Sequence, residues 1–488
     1  MDNNPQESKP NKRRKTSWTE YCSTRRAEVK VAVAMVQHDV SFAVADHFSP
    51  LWRECFKDSP TAQHFKSAST KTTCIINHAV APHFRNELVM KMRENPFTLV
   101  TDGSNDTGLE KMNPLTVRVF DGTNKVVHRF LDMCTTSGRS CGTADVIYKK
   151  IHDVLVEHKI PWTNCVGLSV DNAPVDIGAT NSIASKMLKE NPSIYIHGCP
   201  CHIMHNTAKH AGKRFLEISG FDAEDLVVDV GYWFKGCTNR KGYLTEFCEL
   251  HGSDYMEMLL HIPVRWLGLE MCITQILRQY GPLTSHFKSL NEKQPRFRRL
   301  VEAFSNSLTE VYLQFLRATF PVFTTLNLLL QREKSSIFQL HEEMTTFIRK
   351  LCSRFMAPAA LRGNVLDIPY KDPQHQLPGE KLNVGFTTRG TLNRFLEAGD
   401  VSSDQAQQFH QAALAFLVGA VDYAMAKLPL KDALLKHARF VDVQLRAECG
   451  VEDVLYFVHR QGFSHTDYIL LSLMVMLTKQ ICFSLTVF

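Results

Sequence analysis

This sequence lacks a long apolar run, a secretion leader and a regular cysteine framework. The first five residues, Met1 to Pro5, are polar and carry no apolar core of a signal peptide. The nearest approach to a membrane span is 468–488, where Lys479 and Gln480 interrupt the apolar stretches. A spanning helix needs about 20 apolar residues, and a lysine near its middle costs roughly 2.5–3.5 kcal/mol, so no membrane contact is expected. The 14 cysteines are scattered singly apart from Cys199 and Cys201, which predicts reduced thiols in the cytosol or nucleus. Also missing are the phosphate loop GxxxxGK[ST], the nucleophile elbow GxSxG, the zinc-protease HExxH and any repeat of fixed period. Charge of one sign is scarce as well. The net charge is +6, and residues 1–30, with eight Lys/Arg against four acids, hold four of those six.

What is present is an ordinary globular composition, 44% hydrophobic and 22% charged, over a length that calls for two or three lobes. Residues 1–26 read as a disordered basic tail. Within it Lys12, Arg13, Arg14 and Lys15 form a run suited to phosphate contact or nuclear import, or to a merely solvated cluster. From 27 to 94 the apolar period is helical. At Asn95 and Pro96 the texture changes, and Phe97 to Thr101 reads as a short strand ending in Asp102 and Gly103. Two further runs, Leu115 to Phe120 and Val126 to Leu131, flank the turn-like Asp121 and Gly122 and predict an antiparallel hairpin.

A helix is predicted from Gly142 and Thr143 to about His158, with Thr143 as its N-cap. Cys165 to Val170 is a continuous apolar strand, as in the middle of a sheet, and it ends in Asp171 and Asn172. A helix over about 178–189, a strand over 193–196 and a helix after His202 complete the order βββαβαβα. That order is the ribonuclease-H arrangement, although it admits other α/β sheets. Beyond about 220 the pattern is almost wholly helical to about 430, with a Pro- and Gly-rich break at 358–378.

Three groups of residues carry chemistry. Asp102 and Asp171 close two strands that, if parallel neighbours, bring both carboxylates to one sheet edge. Two close carboxylates repel unless a cation neutralises them, and hard divalent ions suit oxygen ligands. The plainer reading is ordinary turn chemistry at strand ends. The second group is Cys199, Cys201, His202 and His205. Its ligand types suggest zinc, held by Cys199, His202 and His205, but Cys199-x-Cys201 is tighter than the usual knuckle and adjacent Cys201 and His202 point apart, which favours packing at a strand–helix turn over metal or DNA contact. The third is Arg265 and Trp266, a guanidinium and an indole suited to stacking on a base or to anchoring a helix.

The residues Val100 to Asp106, Lys111 to Asp121, Arg129 to Asp132 and Ser169 to Ala173, taken as a set, resemble the core of hAT-type DNA transposases. Cys199 and His202 resemble the family's Cys-x-x-His motif, and Arg265 and Trp266 its Arg-Trp element. The resemblance covers about 70–460. It implies that Asp102 and Asp171 are catalytic and bind Mg²⁺ or Mn²⁺, and that Trp266 stacks on a flipped base. The family's third acid, a glutamate in a later helix, and its apolar dimerisation segment have no counterpart here, and from about 461 the resemblance stops.

The expected fold is therefore α/β, a ribonuclease-H-like five-strand mixed sheet with a large all-helical insertion and a helical N-terminal region. The core is placed at 95–218, the insertion at 219–430, a return toward the core at 431–460 and a divergent apolar tail at 461–488. That tail is expected to be dispensable for the core. The expected function is a transposon-derived nuclear protein that binds DNA with an incomplete active site. Two alternatives are an active transposase or nuclease truncated in this version, and a scaffold that binds proteins through the insertion. Oligomerisation is not expected without the family's dimer segment.

Overall fold

The structure, a computed structural model, describes residues 17–105, 110–120, 126–138, 140–263, 265–332, 337–442, 449, 450, 452, 453, 455 and 456. The expectations for Lys12, Arg13, Arg14 and Lys15, for Asp106, for the turn at 121–125 and for the tail 461–488 lie outside the described residues.

The chain is mixed α/β, with a five-strand mixed sheet and mostly helical content. The first helices are α1 (Trp18–Gln37), α2 (Ala45–Cys55), α3 (Pro60–His64), α4 (Ser69–Ile75) and α5 (Ala81–Glu94). Helix α1 starts at Trp18, not at about 27, because Ser17 and Glu20 form a reciprocal capping box that satisfies two orphan N–H groups. Its buried Glu28 is held by Arg25 and Lys71, each at 2.6 Å, and accepts the Lys66 N–H. Burial alone would raise that carboxyl; Lys71 and Arg25 outweigh it and hold it below its ordinary value.

The strands are β1 (Phe97–Thr101), β2 (Ser104–Asn105), β3 (Glu110–Phe120), β4 (Val126–Ser137), β5 (Cys165–Val170) and β6 (Tyr195–Gly198). β1 and β2 occupy one lane of the sheet, so the five lanes run β4, β3, β1 with β2, β5, β6. The β4–β3 and β3–β1 pairs are antiparallel, and the β1–β5 and β5–β6 pairs are parallel. The hairpin strands are longer than their apolar runs suggested, since Glu110–Asn113 and Asp132–Ser137 pair without a clean apolar period. The connecting helices are α6 (Ala144–Glu157), α7 (Pro174–Ile177), α8 (Ile183–Glu190) and α9 (Pro200–Ser219). Thr143 occupies the N-cap of α6, but its hydroxyl donates to Ser140 O instead of capping the helix. The helix expected at 178–189 begins only at Ile183, because Ser182 and Ser185 cap each other there.

Phe97, Leu99, Val117, Leu168, Ile147, Ile151 and Met187 share one core under the sheet. Each such side chain, fully buried, contributes roughly 1.5–3 kcal/mol.

A second, larger core starts at Tyr195 on β6, passes to α9 and continues through α10 (Ala223–Phe234), α11 (Thr238–Leu250), α12 (Leu269–Arg278), α13 (Tyr280–Ser289) and α14 (Pro295–Ser305). It extends through α15 (Ser307–Leu330), α16 (Ile337–Cys352), α17 (Phe386–Ala398), α18 (Ser403–Lys427) and α19 (Ala433–His437). Helices α15 and α18 are long and apolar enough to cross a membrane by length and composition. Both lie in this core, where Phe315, Phe320, Phe409 and Phe416 are fully buried. The break at 358–378 holds short 3₁₀ turns pinned by a bridge between Met356 and Gln376.

Candidate functional site

The site begins with a fault in the sheet. The antiparallel register runs from Phe97 opposite Val119 to Thr101 opposite Leu115, and resumes at Ser104 opposite Met112. Between these, the register sets Asp102 opposite Pro114 and Gly103 opposite Asn113. Proline has no N–H to give a ladder, and the pairing lapses where it stands. Asp102 is thereby released from the sheet and exposed. Gly103 leaves room beside it: a Cβ there would lie 2.6 Å from Asn113 Oδ1 and 2.8 Å from Lys111 Cε, so those side chains would have to shift. Lys111 thus reaches across the fault next to Asp102.

On the neighbouring strand the parallel register pairs Val100 with Ser169, so Asp102 and Asp171 leave the sheet in step at the same edge. Asp171 Oδ1 accepts the Ala173 N–H at 2.6 Å, fixing the turn that leads into α7. Asn172 donates to the Cys199 carbonyl at 2.7 Å, tying this turn to the start of α9. Gly198 makes room for that tie, since a Cβ there would meet Asn172 Oδ1 at 2.0 Å.

A third carboxylate joins the two expected ones. Asp176, on α7, is pushed up to about 6, first by burial and then by Asp171, with Lys111 opposing and Asp102 adding to the rise. Sequence reading missed both Asp176 and Lys111. The signal available was thin: a second acid five residues after Asp171, and a lysine three residues before the proline.

The Cys199 cluster adjoins this group. Cys199 is the N-cap residue of the 20-residue helix α9, with its N–H on Val170 O at 2.8 Å. Interaction with Cys201 first, and then with His202, holds the Cys199 thiol far below its ordinary value against the opposing effect of burial. Cys201 is driven up, chiefly by Cys199. His202 is raised to about 9, first by Cys199, against burial, and further by Asp171 and Asp102. His205 points elsewhere. Its Nδ1 accepts the Leu267 N–H at 3.1 Å, and burial, with help from His202 and Arg265, lowers it. Cys199, His202 and His205 therefore do not form the three-ligand zinc set that their residue types allowed as one reading. Among the described residues, no three His, Cys, Asp or Glu side chains converge tightly enough to hold one ion, the aspartates included.

Arg265 and Trp266 dock on the same helix. His202, His205, Lys209 and Gly212 are spaced three, four and three residues apart and so share one face of α9. Leu267 is held by His205, and the edge of the Trp266 ring abuts Gly212, where a Cβ would sit 2.4 Å from Cζ2 and 2.5 Å from Cη2. Trp266 is only 5% exposed, packs edge-on to Phe320 and donates its N–H to Glu224 at 3.0 Å. The free indole face expected for base stacking is not presented in this arrangement, because Gly212 leaves a slot that the ring fills. Arg265 is exposed. Beside the indole opens a cleft of about 630 Å³, whose lining includes Asn206, Lys209, Lys213, Phe221, Trp266 and Tyr423.

No family model matches the chain. It is 22% identical over 297 residues to the General transcription factor II-I repeat domain-containing protein 2 of Mus musculus, covering 59% of this chain and 30% of that protein. The protein of the same name from Bos taurus is 22% identical over 260 residues, covering 52% of this chain and 25% of its own length. The chain thus spans less than a third of the curated relatives it matches. Their name carries the words transcription factor, and the similarity to them is distant.

Proposed function

We propose that this chain is a transposase-derived nuclear protein that binds DNA through a ribonuclease-H-like core whose catalytic set is incomplete. The observation that carries the reading is the lane order β4, β3, β1, β5, β6, with Asp102 and Asp171 leaving adjacent parallel strands in step. Three antiparallel strands followed by two parallel ones is the ribonuclease-H order, and the hAT-like residues fall at its functional edge. The transcription-factor relatives support a nuclear setting.

The donor chemistry at the edge fits a hard divalent cation. Mg²⁺ keeps most of its waters and is commonly held by one or two carboxylates, here Asp102 and Asp171. Such an ion, when bound, would supply charge for a phosphate oxygen. The chain's own residues do the remaining work. Lys111 and His202 offer positive charge beside the aspartates, and Lys209, Lys213 and exposed Arg265 continue that charge along α9 and its docked turn. Phosphate contacts of this kind bind with little dependence on base sequence.

DNA binding measured against salt tests the reading. Three to four phosphate contacts predict a log–log slope of about −3, which Arg265→Ala together with Lys213→Ala should reduce by about 2. Binding indifferent to salt would refute it. Strand cleavage in Mg²⁺ or Mn²⁺ that disappears in Asp102→Asn would instead establish the active nuclease.

A further inference from the structure

β4 is an outer lane of the sheet, and over its 12 residues it pairs only with β3 among the described residues. A long strand with one open side presents a row of free N–H and C=O groups, a template for a further strand. Two main-chain groups of β4 are held by neighbouring side chains. Arg129 donates to the His128 carbonyl at 3.0 Å, and Asp132 Oδ1 accepts the Met133 N–H at 2.7 Å. Both groups sit on the same side of β4. The ladder steps from Phe130 to Asp132 and leaves Leu131 as an extra residue. Such a bulge reverses the alternation, so an even-numbered residue before it faces the same way as an odd-numbered one after it. Bonds to side chains rather than to β3 place that side at the open edge.

Between β4 and α5, next to this edge, lies a cleft of about 390 Å³. Buried Leu88 and Leu131 form its floor, and Phe84 and Phe130, 58% and 54% exposed, stand at its rim. Two bare aromatic rings on one small cleft mark an interaction surface. The cleft also carries surplus positive charge. Glu87 answers Lys91 at 3.2 Å and Asp132 approaches Arg85 only to 3.9 Å, while Arg129 has no carboxylate partner among the described residues.

We infer that this edge binds an extended acidic peptide, which adds to the sheet beside β4 and sets alternate apolar side chains in the cleft. Main-chain pairing supplies affinity, and the cleft selects the side chains on one face of the added strand. A carboxylate next to Arg129 answers the surplus charge. A second copy of β4 would not, since residues 126–137 carry one Arg against one Asp. The inference does not depend on DNA binding, proposed above for the aspartate edge and α9.

The test uses the full chain and a labelled probe of about eight residues that alternates Glu with Val around a central Phe. Its fluorescence anisotropy should saturate in the range of about 1–100 μM. Replacing each Glu by Lys should weaken binding more than about tenfold. Methylating every second amide nitrogen of the probe keeps its side chains and removes donors from one edge. Of the two alternating patterns, one should lose binding and the other keep it. Amide exchange over 126–137 should slow when the probe binds. Arg129→Gln should weaken binding about threefold to tenfold with the melting temperature unchanged. No saturation by about 1 mM, equal behaviour of the two methylated probes, or protection that falls on α9 instead overturns the inference. So does a mass that doubles with concentration while 126–137 becomes protected without peptide, because the edge then pairs with a second copy. Peptide binding that persists in a chain shown not to bind DNA supports the inference and refutes only the reading of α9.

Discussion

Replacing Asp176 by asparagine should stabilise the protein at neutral pH. In the folded state this carboxyl is pushed from its ordinary 3.8 to about 6, by burial first and then by Asp171. A raised carboxyl means that the folded state prefers the protonated form, so ionising it is a penalty. The penalty is absent below pH 3.8, grows between 3.8 and 6, and is fully present above about 6. The shift sets a ceiling of about 3 kcal/mol at 1.36 kcal/mol per unit. Asp176 is only half-buried, and solvent screening leaves about 1–2 kcal/mol. Asparagine keeps the shape and removes the charge, so Asp176→Asn should raise the melting temperature by about 2–5 °C at pH 7.5. The gain should shrink steadily on acidification and vanish near pH 4. Mg²⁺ or Mn²⁺ should also shrink it, because a cation at Asp102 and Asp171 relieves the same repulsion. Differential scanning fluorimetry over pH 4–8, with and without the cation, reads all of this. A variant no more stable than the parent at pH 7.5, or a gain that does not fall with pH, would refute the placing of three carboxylates together.

Glu28→Gln should destabilise the N-terminal helices by about 2 kcal/mol, because Lys71 and Arg25 lose their shared buried partner. Faster amide exchange in α1 and α4, with the sheet unchanged, would show it. Gly212→Ala should cost about 1–3 kcal/mol and expel the Trp266 ring, seen as greater acrylamide quenching than in a Gly212→Ala, Trp266→Phe control. Unchanged quenching would mean the slot is not tight. His286 is fully buried, and burial, assisted by Arg240, pushes its imidazole down to about 4 from 6.5. The folded state therefore keeps it neutral while the unfolded chain takes up a proton. The stability cost starts below pH 6.5 and reaches about 2–3 kcal/mol by pH 4. His286→Gln should lack that loss, so its stability relative to the parent should rise through this window.

The sheet was legible because its strand ends are marked by turn residues. Asp102 with Gly103, and Asp171 with Asn172, closed apolar runs at the positions where β1 and β5 end. The alternation of strands and helices then restricted the lane order. The extent of β3 and β4 was not legible, since pairing past Asn113 follows from the neighbouring strand rather than from any apolar period of its own. Asp176 escaped notice because its role depends on α7 folding back toward the sheet edge, and Pro174 with Val175 gives no sign of that. Trp266 shows the same limit from the other side. An Arg-Trp pair identifies a good stacking residue, but the slot that holds the indole is a glycine on α9, 54 residues earlier in the chain. Local pattern predicts elements well and pairings between distant elements poorly, because the decisive partner lies outside any local window.

On the DNA-binding reading proposed above, the charge around α9 would favour binding over cutting. A hydrolytic site must develop negative charge on a phosphate and stabilise it with cations placed for the transition state. Here Lys111 and the raised His202 already sit among the aspartates, so part of the carboxylate charge is neutralised by fixed side chains. Fixed cations beside two aspartates lower the affinity of that pair for Mg²⁺ or Mn²⁺ while leaving net attraction for a phosphate backbone along α9. Removing Lys111 shifts that balance. Without its ammonium the aspartates repel one another more strongly, a divalent cation is held more tightly, and metal-free DNA binding weakens. On the proposed DNA-binding reading, the same lysine would help the edge to hold DNA and would work against loading it with a divalent cation.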